Sequence, residues 1–324
     1  MTKPESKKGL RIIVAGTGRL GLAVLIPLLE SHHQVVAVVQ NGRRVSRLYR
    51  AVLPWQCRLL PSLKSPMQIA VHQGIPIRWL VDLNEAELAS IKTFKPDLII
   101  TCGFSIILPK SVLELPSIGC INVHTTLLPN HRGANPCAHV ILAGDKESGV
   151  TVHVTEEGID AGAILAQETF PVEPTDTSMD VYLESSAVTD GMITEAINEI
   201  ERNGLAHGVQ QDLDSGTYDP PFKEEDGRID WSQPAKEIDR LIRAALAYGP
   251  AWFEHRGQHV CVAGSTFDPE ETDGEPGTLL HTEPLVEIAT GEGSITLLSA
   301  YTHRWGGTRW PGTFSGLKPG TQLK

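Results

Sequence analysis

No apolar run in the 324-residue chain approaches the ~18 residues that a membrane span needs, so no spanning helix and no membrane partner are expected. The opening stretch MTKPESKKGLRIIVAG runs from charged residues straight into a short apolar segment with no cleavage site behind it, so no secretory leader is expected. Cysteine is scarce: Cys57, Cys102, Cys120, Cys137 and Cys261 are an odd number, and no two are spaced C-x-x-C. That excludes a disulfide framework and a zinc knuckle, and it makes a reducing cytoplasm the expected compartment. Neither H-E-x-x-H nor G-x-S-x-G occurs, which leaves no metal expected and no serine nucleophile elbow. Acid is missing from one long stretch. Between Ser31 and Val81 there is no Asp or Glu, while Arg43, Arg44, Arg47, Arg50, Arg58, Lys64 and Arg78 give it a charge of +7. The total is −11, so the rest of the chain carries −18. Such a net charge argues against a dedicated nucleic-acid binder; the basic island is either a docking place for an anionic group or a solvated arginine-rich face.

What is present is a regular alternation. The short runs LRIIVAG, QVVAVVQ, IPIRWL, DLIITCG, GCINVH and GVTVHVTEEG are separated by segments of helical pattern, which reads as βαβ units on a largely parallel sheet. Residues 177–203 read as one long helix with Leu183, Ala187, Met192, Ala196 and Ile200 on or near one face. Residues 206–220 are polar and rich in Gly, Asp and Pro, as a linker is. Beyond them come one helix, PAKEIDRLIRAALA, and the short β-like runs AWFEH, HVCVAGSTF, LVEIAT and SITLLSAY. The expected architecture is an α/β, Rossmann-like catalytic domain over 1–205, a linker over 206–220, and a smaller β-barrel (OB-like) domain over 221–324.

Two motifs compete for the chemistry. Gly16-Thr17-Gly18-Arg19-Leu20-Gly21 is a complete G-x-G-x-x-G between a strand and a helix, the setting of a dinucleotide fingerprint. The acidic residue that holds a ribose some 20 positions on is absent; Gln40 stands there, with Arg43 and Arg44 beyond. An NADP-binding oxidoreductase therefore stays open, as does a turn whose glycines serve packing alone. The second motif is Asn122-Val123-His124 at a strand end, followed by TLLPNHRG and by Asp160 in the loop EEGIDAG. Residues two apart on a strand leave the same face. Asn, His and Asp supply a hydrogen-bond donor, a titratable base or acid, and a carboxylate to orient the imidazole. With no nucleophile of its own, that set suits acyl transfer to a substrate nucleophile.

The second stretch resembles the folate-dependent formyltransferases. Their Asn-x-His, S-L-L-P, R-G with a following Pro, and loop Asp correspond to Asn122-Val123-His124, Thr126-Leu127-Leu128-Pro129, Arg132-Gly133 with Pro136, and Asp160. CGFSIILPKSVLELPSIGCINVH and IDWSQPAKEIDRLIRA are most similar to the branch that formylates methionyl-tRNA. Where that branch carries a proline-rich basic loop, this chain has QNGRRVSRLYRAVLPWQCRLLP, and His153 and the R-G-A-N-P form are closer to other branches. The resemblance implies 10-formyltetrahydrofolate as co-substrate, no metal, and a primary amine as acceptor. The acceptor would be initiator methionyl-tRNA or, alternatively, an amino sugar nucleotide or other phosphate-bearing small molecule. It implies Asn122, His124 and Asp160 as catalytic residues, with Asp160 favouring the charged form of His124. It places the reduced folate between Phe104, Ser105, Ile106 and Leu108 on one side and Thr155, Glu156, Glu157, Gly158 and Ile159 on the other. The acceptor is expected against Gly16, Thr17, Arg43, Arg44, Thr126, Leu127, Leu128, Pro129, Arg132 and Gly133, with the basic island toward its phosphates.

Overall fold

The computed structural model describes residues 9–43, 45–59, 65–304, 307–309 and 317–323. Arg44 and Lys64 of the basic stretch lie outside the described residues. In chain order the elements are β1 (Arg11–Gly16), α1 (Gly18–Glu30), β2 (Gln34–Asn41), α2 (Arg47–Leu59), α3 (Pro66–His72), β3 (Ile77–Leu80), α4 (Glu85–Lys92), β4 (Leu98–Cys102) and α5 (Lys110–Leu113). Then come β5 (Gly119–His124), β6 (Arg132–Gly133), α6 (Pro136–Ala143), β7 (Glu147–Val154), β8 (Ile164–Pro171), α7 (Ser178–Asn203) and β9 (Tyr218–Asp219). The chain ends with α8 (Ala235–Ala245), β10 (Ala251–His255), β11 (Gln258–Asp268), β12 (Leu279–His281), β13 (Val286–Ala289), β14 (Ser294–Arg304) and β15 (Gly307–Arg309). No described helix is long and apolar enough to cross a membrane.

Two compact units form: residues 1–133, 148–170 and 182–218 make the first, and 134–147, 171–181 and 219–324 the second. The division is not linear along the chain, as a single boundary near 205–220 would have it. The inserted segments are tied into the second unit by backbone bonds. Val172 N–H donates to Lys146 O (3.0 Å). Arg243 Nη1 donates to Asp176 O (2.8 Å), and Ala247 N–H to Ser178 Oγ (3.0 Å). The sequence pattern shows that α6 has a buried face; it does not show that α8 is what covers it.

The first unit holds a seven-stranded sheet in the order β3-β2-β1-β4-β5-β7-β8. Strands β3, β2, β1, β4 and β5 are parallel. β7 runs antiparallel to β5, a departure from the expected parallel alternation. A run such as GVTVHV, buried on both faces, satisfies either direction, so only the connection decides. Ile12, Val14, Leu98, Ile100, Ile121 and Val123 pack on one side with Val24 and Leu28 of α1 and Ile193 and Ile197 of α7. Ile13, Ala15, Ile99 and Cys120 pack on the other with Ile91, Ile106 and Leu108. Burying each large side chain is worth about 1.5–3 kcal/mol, which is what holds the strand ends in register. Sequence order reverses between β1 and β4, so the crevice at their carboxyl ends is the natural ligand position.

The face of α7 differs from expectation at its start. Leu183 and Ala187 are exposed, while Ser185, Ser186 and Thr189 are buried. Ser186 Oγ donates to Tyr182 O (2.9 Å) and Thr189 Oγ1 to Ser185 O (2.7 Å), so these hydroxyls enter the interior already satisfied.

In the second unit, an antiparallel sheet runs β10-β11-β14-β13-β12, with β15 on β14, a half-barrel arrangement. Ile238, Ile242 and Ala245 of α8 join Phe253, Val260, Val262, Ile288, Ile295 and Leu297 in its core. Trp231 stands edge-on to Phe253, centroids 5.2 Å apart. β12, only three residues long, has no counterpart among the expected strands.

Candidate active site

The cluster begins at the end of β5. Thr101 of β4 pairs in register with Asn122, and its Oγ1 donates to Asn122 Oδ1 (2.8 Å). The ionised Asp160 carboxylate, which only accepts, settles the amide orientation with Nδ2 on the side away from Thr101. Nδ2 lies 3.2 Å from His153 Nε2 and 3.4 Å from Asp160 Oδ1. His153 faces Asn122 directly across the antiparallel ladder and is 1% exposed. Its Nδ1–H donates to Val154 O (2.9 Å), which aims Nε2 at Asn122 and at Asp160 Oδ1, 3.4 Å away.

His124, 5% exposed, has Nε2 2.9 Å from the His131 carbonyl. A carbonyl only accepts, so Nε2 carries the proton. Nδ1 is left 3.6 Å from Asp160 Oδ2. Burial is the largest influence on this imidazole and pulls its pKa below 6.5; Asp160 opposes it, His153 adds to the lowering, and the His131 carbonyl opposes. Asp160 thus favours the charged form, as expected, but burial outweighs it and His124 rests neutral.

Asp160 sits in left-handed backbone at φ 48°. Its Oδ2 accepts the Gly133 N–H (2.9 Å), and its own carbonyl, with that of Gly162, accepts from Gln211 Nε2 (2.9 and 2.6 Å). Burial raises its pKa, but the His153 and His124 rings and the Gly133 amide more than reverse this and bring it to about 2. The carboxylate is therefore ionised at neutral pH, between two imidazoles. The cluster offers a fixed amide donor, a neutral base and a charge that stabilises the base once it is protonated.

Asn122, His124 and Asp160 come together from β5 and a loop 36 residues later, as the motif spacing leads one to expect. Three participants were not assigned to the site from the sequence: Thr101, Gln211, and His153, which stood out only as a difference between branches. Only His153 carried a signal, a histidine in the middle of a buried apolar strand.

The expected folate segments behave unequally. Thr155 Oγ1 and Gln211 Oε1 are buried without a hydrogen-bond partner among the described residues, which leaves polar capacity beside Asp160. Glu156, Glu157, Gly158 and Ile159 are exposed on the same loop. Ser105 Oγ accepts from Asn41 Nδ2 (2.8 Å), and Phe104 is half-buried against the core. Ile106 and Leu108 have their side chains in the core, so that stretch offers a ligand its backbone groups, as expected, and the exposed Ile107.

The acceptor set is revised more. Thr126 and Leu128 are buried and brace the turn into which Leu127 and Pro129 fall. Thr151 Oγ1 donates to Thr126 O (2.7 Å) and accepts from Leu128 N–H (3.1 Å). Arg132 is spent on backbone carbonyls, Nε on Thr217 O (3.2 Å) and Nη2 on Leu213 O (3.1 Å). Gly133 contributes its N–H to Asp160 rather than an open surface. Arg43 donates from Nε to Val81 O (3.0 Å) and stays exposed. Arg44 lies outside the described residues. Arg78 is not part of a common patch. It bonds Ser90 Oγ (2.7 Å) and stacks over Phe94.

The Gly16–Gly21 turn is tightly packed at Gly16, Leu20 and Gly21, while Thr17, Gly18 and Arg19 are exposed. A Cβ at Gly16 would lie 2.3 Å from Cys102 Sγ and 3.1 Å from Gly21 Cα, and Gly18 needs φ +61°. Thr17 Oγ1 donates to Gly103 O (2.9 Å). Leu20 N–H, a helix-start donor that a phosphate would use, goes to Tyr182 Oη (3.2 Å). Gln40 Nε2 donates to Gly16 O (2.9 Å) from a buried position, where a ribose-binding acid would have to stand. The glycines serve close packing of β1, α1 and β4.

The fold and the cluster together define an α/β protein that gathers an amide donor, a neutral imidazole and an ionised carboxylate at its sheet edge. The chain belongs to the formyl transferase family and is a formyltransferase: residues 10–197 match "Formyl transferase" and residues 221–303 match "Formyl transferase, C-terminal domain". It is 31% identical over 292 residues to a methionyl-tRNA formyltransferase of Hahella chejuensis, covering 90% of this chain and 89% of that protein. In fold it is similar to an N-formyltransferase from Helicobacter canadensis solved with folinic acid and dTDP-3-aminofucose (TM-score 0.66, 22% identity, 90% of this chain and 100% of that one). It is also similar to HypX from Aquifex aeolicus (TM-score 0.63, 20% identity, 91% of this chain and 45% of that one). The chain spans less than half the length of HypX. The expected family and fold class are borne out.

Proposed function

We propose that the protein transfers the formyl group of 10-formyltetrahydrofolate to a primary amine, and that the amine is that of methionyl-tRNA. The observation that carries the transfer is the Asn122–His124–Asp160 cluster, in which a neutral imidazole and an ionised carboxylate are held 3.6 Å apart beside an oriented amide. The partnerless Thr155 Oγ1 and Gln211 Oε1 fit a polar ligand edge such as a reduced pterin presents. When bound, the folate supplies an activated formyl carbon. His124 takes the proton of the attacking amine on Nδ1, where the imidazolium meets Asp160 and the His131 carbonyl, both acceptors, and it then returns that proton to the folate nitrogen as the bond from that nitrogen to the formyl carbon breaks, leaving tetrahydrofolate and the formylated amine. Asn122 Nδ2–H donates to the formyl oxygen as negative charge gathers there. The methionyl-tRNA reading is supported by the 31% identity over nine-tenths of the chain.

The test supplies 10-formyltetrahydrofolate with methionyl-tRNA in one arm and a nucleotide-linked amino sugar in the other. Formyl-methionine on the tRNA is the expected product. Transfer to the sugar alone would overturn the acceptor, and transfer to neither amine would overturn the catalytic reading.

A further inference from the structure

Helix α2 carries an apolar stripe in which Leu48, Trp55 and Leu59 are exposed and Val52 is half-buried. Leu48, Val52, Trp55 and Leu59 follow one another at steps of four, three and four, so they form a single stripe. Leu48 is 77% exposed, Trp55 62% and Leu59 57%, while Cys57 on the opposite side is buried. Arg47 and Arg58 are exposed along one border of the stripe, and half-exposed Tyr49 adjoins the other. No acid occurs anywhere from Ser31 to Val81.

We propose that the Leu48–Val52–Trp55–Leu59 stripe of α2, with Arg47 and Arg58 beside it, docks the protein on the surface of an anionic lipid bilayer. A helix with a Trp- and Leu-bearing face and arginines at its flank lies in a membrane interface, apolar side chains in the acyl boundary and cations at the headgroups. Charge complementarity decides the occupant. The chain as a whole is −11, so attraction to an anionic surface exists only where acid is missing, and that is where the exposed apolar side chains stand. An RNA would engage the arginines and could stack a base on Trp55, but it would leave the aliphatic Leu48 and Leu59, 77% and 57% exposed, in water. A second copy pairing stripe to stripe would bring like arginines together with no acid of the segment to neutralise them. The proposal departs from the expectation that no membrane is a partner; that expectation rested on the lack of an apolar run long enough to span, and surface docking needs no span.

The full chain is mixed with vesicles of phosphatidylcholine alone and of phosphatidylcholine with phosphatidylglycerol, and binding is read by co-sedimentation. Binding to the mixed vesicles, weakened by salt, is expected. The L48Q/W55Q/L59Q variant loses at least about tenfold in vesicle affinity, with formyl transfer in solution unchanged. R47Q/R58Q, which leaves the stripe intact, loses about fivefold for each arginine removed. Equal binding to both vesicle types, or none, overturns the proposal. So does a triple variant that binds lipid normally, one that dissolves a dimer formed without lipid, or one that raises the KM of the acceptor.

Discussion

Two stretches of the first unit have the residue pattern of a site, and the structure gives them opposite fates. In the Gly16–Gly21 turn the helix-start donor at Leu20 is taken by Tyr182, the Gly16 carbonyl by Gln40, and the glycines by the close approach of Cys102. In the Asn122–Asp160 cluster the polar groups are just as buried. They confront one another as a base, a carboxylate and an amide, and Thr155 Oγ1 and Gln211 Oε1 remain unpaired. A motif becomes reactive when its buried groups are oriented but not all mutually satisfied. In the turn, the Leu20 amide and the Gly16 carbonyl are satisfied by side chains of the fold itself, and the turn does structural work.

Removing the central carboxylate would break this contrast most severely. Asp160→Asn keeps the shape and the Gly133 contact but takes away the charge that receives a protonated His124. A loss of about 10²–10³ in kcat is expected, with the thermal midpoint little moved. A variant that retains wild-type turnover, measured with the true acceptor, would reduce the cluster to the same standing as the turn.

The acid limb of the pH–rate profile is the next measurement. His124 must be neutral to accept a proton, and burial lowers its pKa, so kcat/KM should hold down through pH 6.5 and then fall about tenfold per unit below a midpoint lying under that value. Asp160 contributes separately to stability. Its pKa of about 2 lies below the ordinary 3.8, so its contribution is complete above about pH 4 and is lost as pH falls through 2. A rate limb centred above 6.5 would mean that the cluster titrates with His124 already charged.

Much of this was legible. β1 through β5 and the Asn-x-His at a strand end follow from local patterns in the sequence. What was not legible depends on pairing at a distance. His153 joins the site only because β7 runs antiparallel and sets it opposite Asn122, and no local signal fixes that direction. Thr126 and Leu128 looked like binding residues because the motif is contiguous, yet a turn must bury some of its members to hold its shape. On α7 the apolar count favoured Leu183, while the hydroxyls of Ser186 and Thr189 went inside by bonding their own helix.

Gly16→Ala attacks the other side of the contrast. The added carbon would meet Cys102 Sγ at 2.3 Å in a fully packed layer, so either β4 or α1 must shift. A loss of about 1–3 kcal/mol in unfolding free energy is expected from overpacking. Affinity for a reduced folate should be unchanged per folded molecule, as titration calorimetry would report. A stable Gly16→Ala protein that no longer binds folate would place the turn inside the site after all.

The smallest effect is the sharpest on the nucleotide question. Tyr182→Phe deletes only the hydroxyl that accepts the Leu20 N–H, leaving a half-buried donor at a helix start. About 1 kcal/mol of stability should go, because that amide loses its partner but is near enough to the surface to take up water. If the turn were a phosphate cradle merely blocked by Tyr182, the freed donor and the helix N-terminus would now attract an anion, and NADP⁺ would bind the variant. The expected result is none, because Gln40 still occupies the ribose position beneath Gly16 and Gly18 still backs onto the ring of residue 182. Calorimetry of Y182F with NADP⁺ and with 5-formyltetrahydrofolate separates the two readings: folate heat with a silent nucleotide keeps the turn structural, and nucleotide heat restores it as a site.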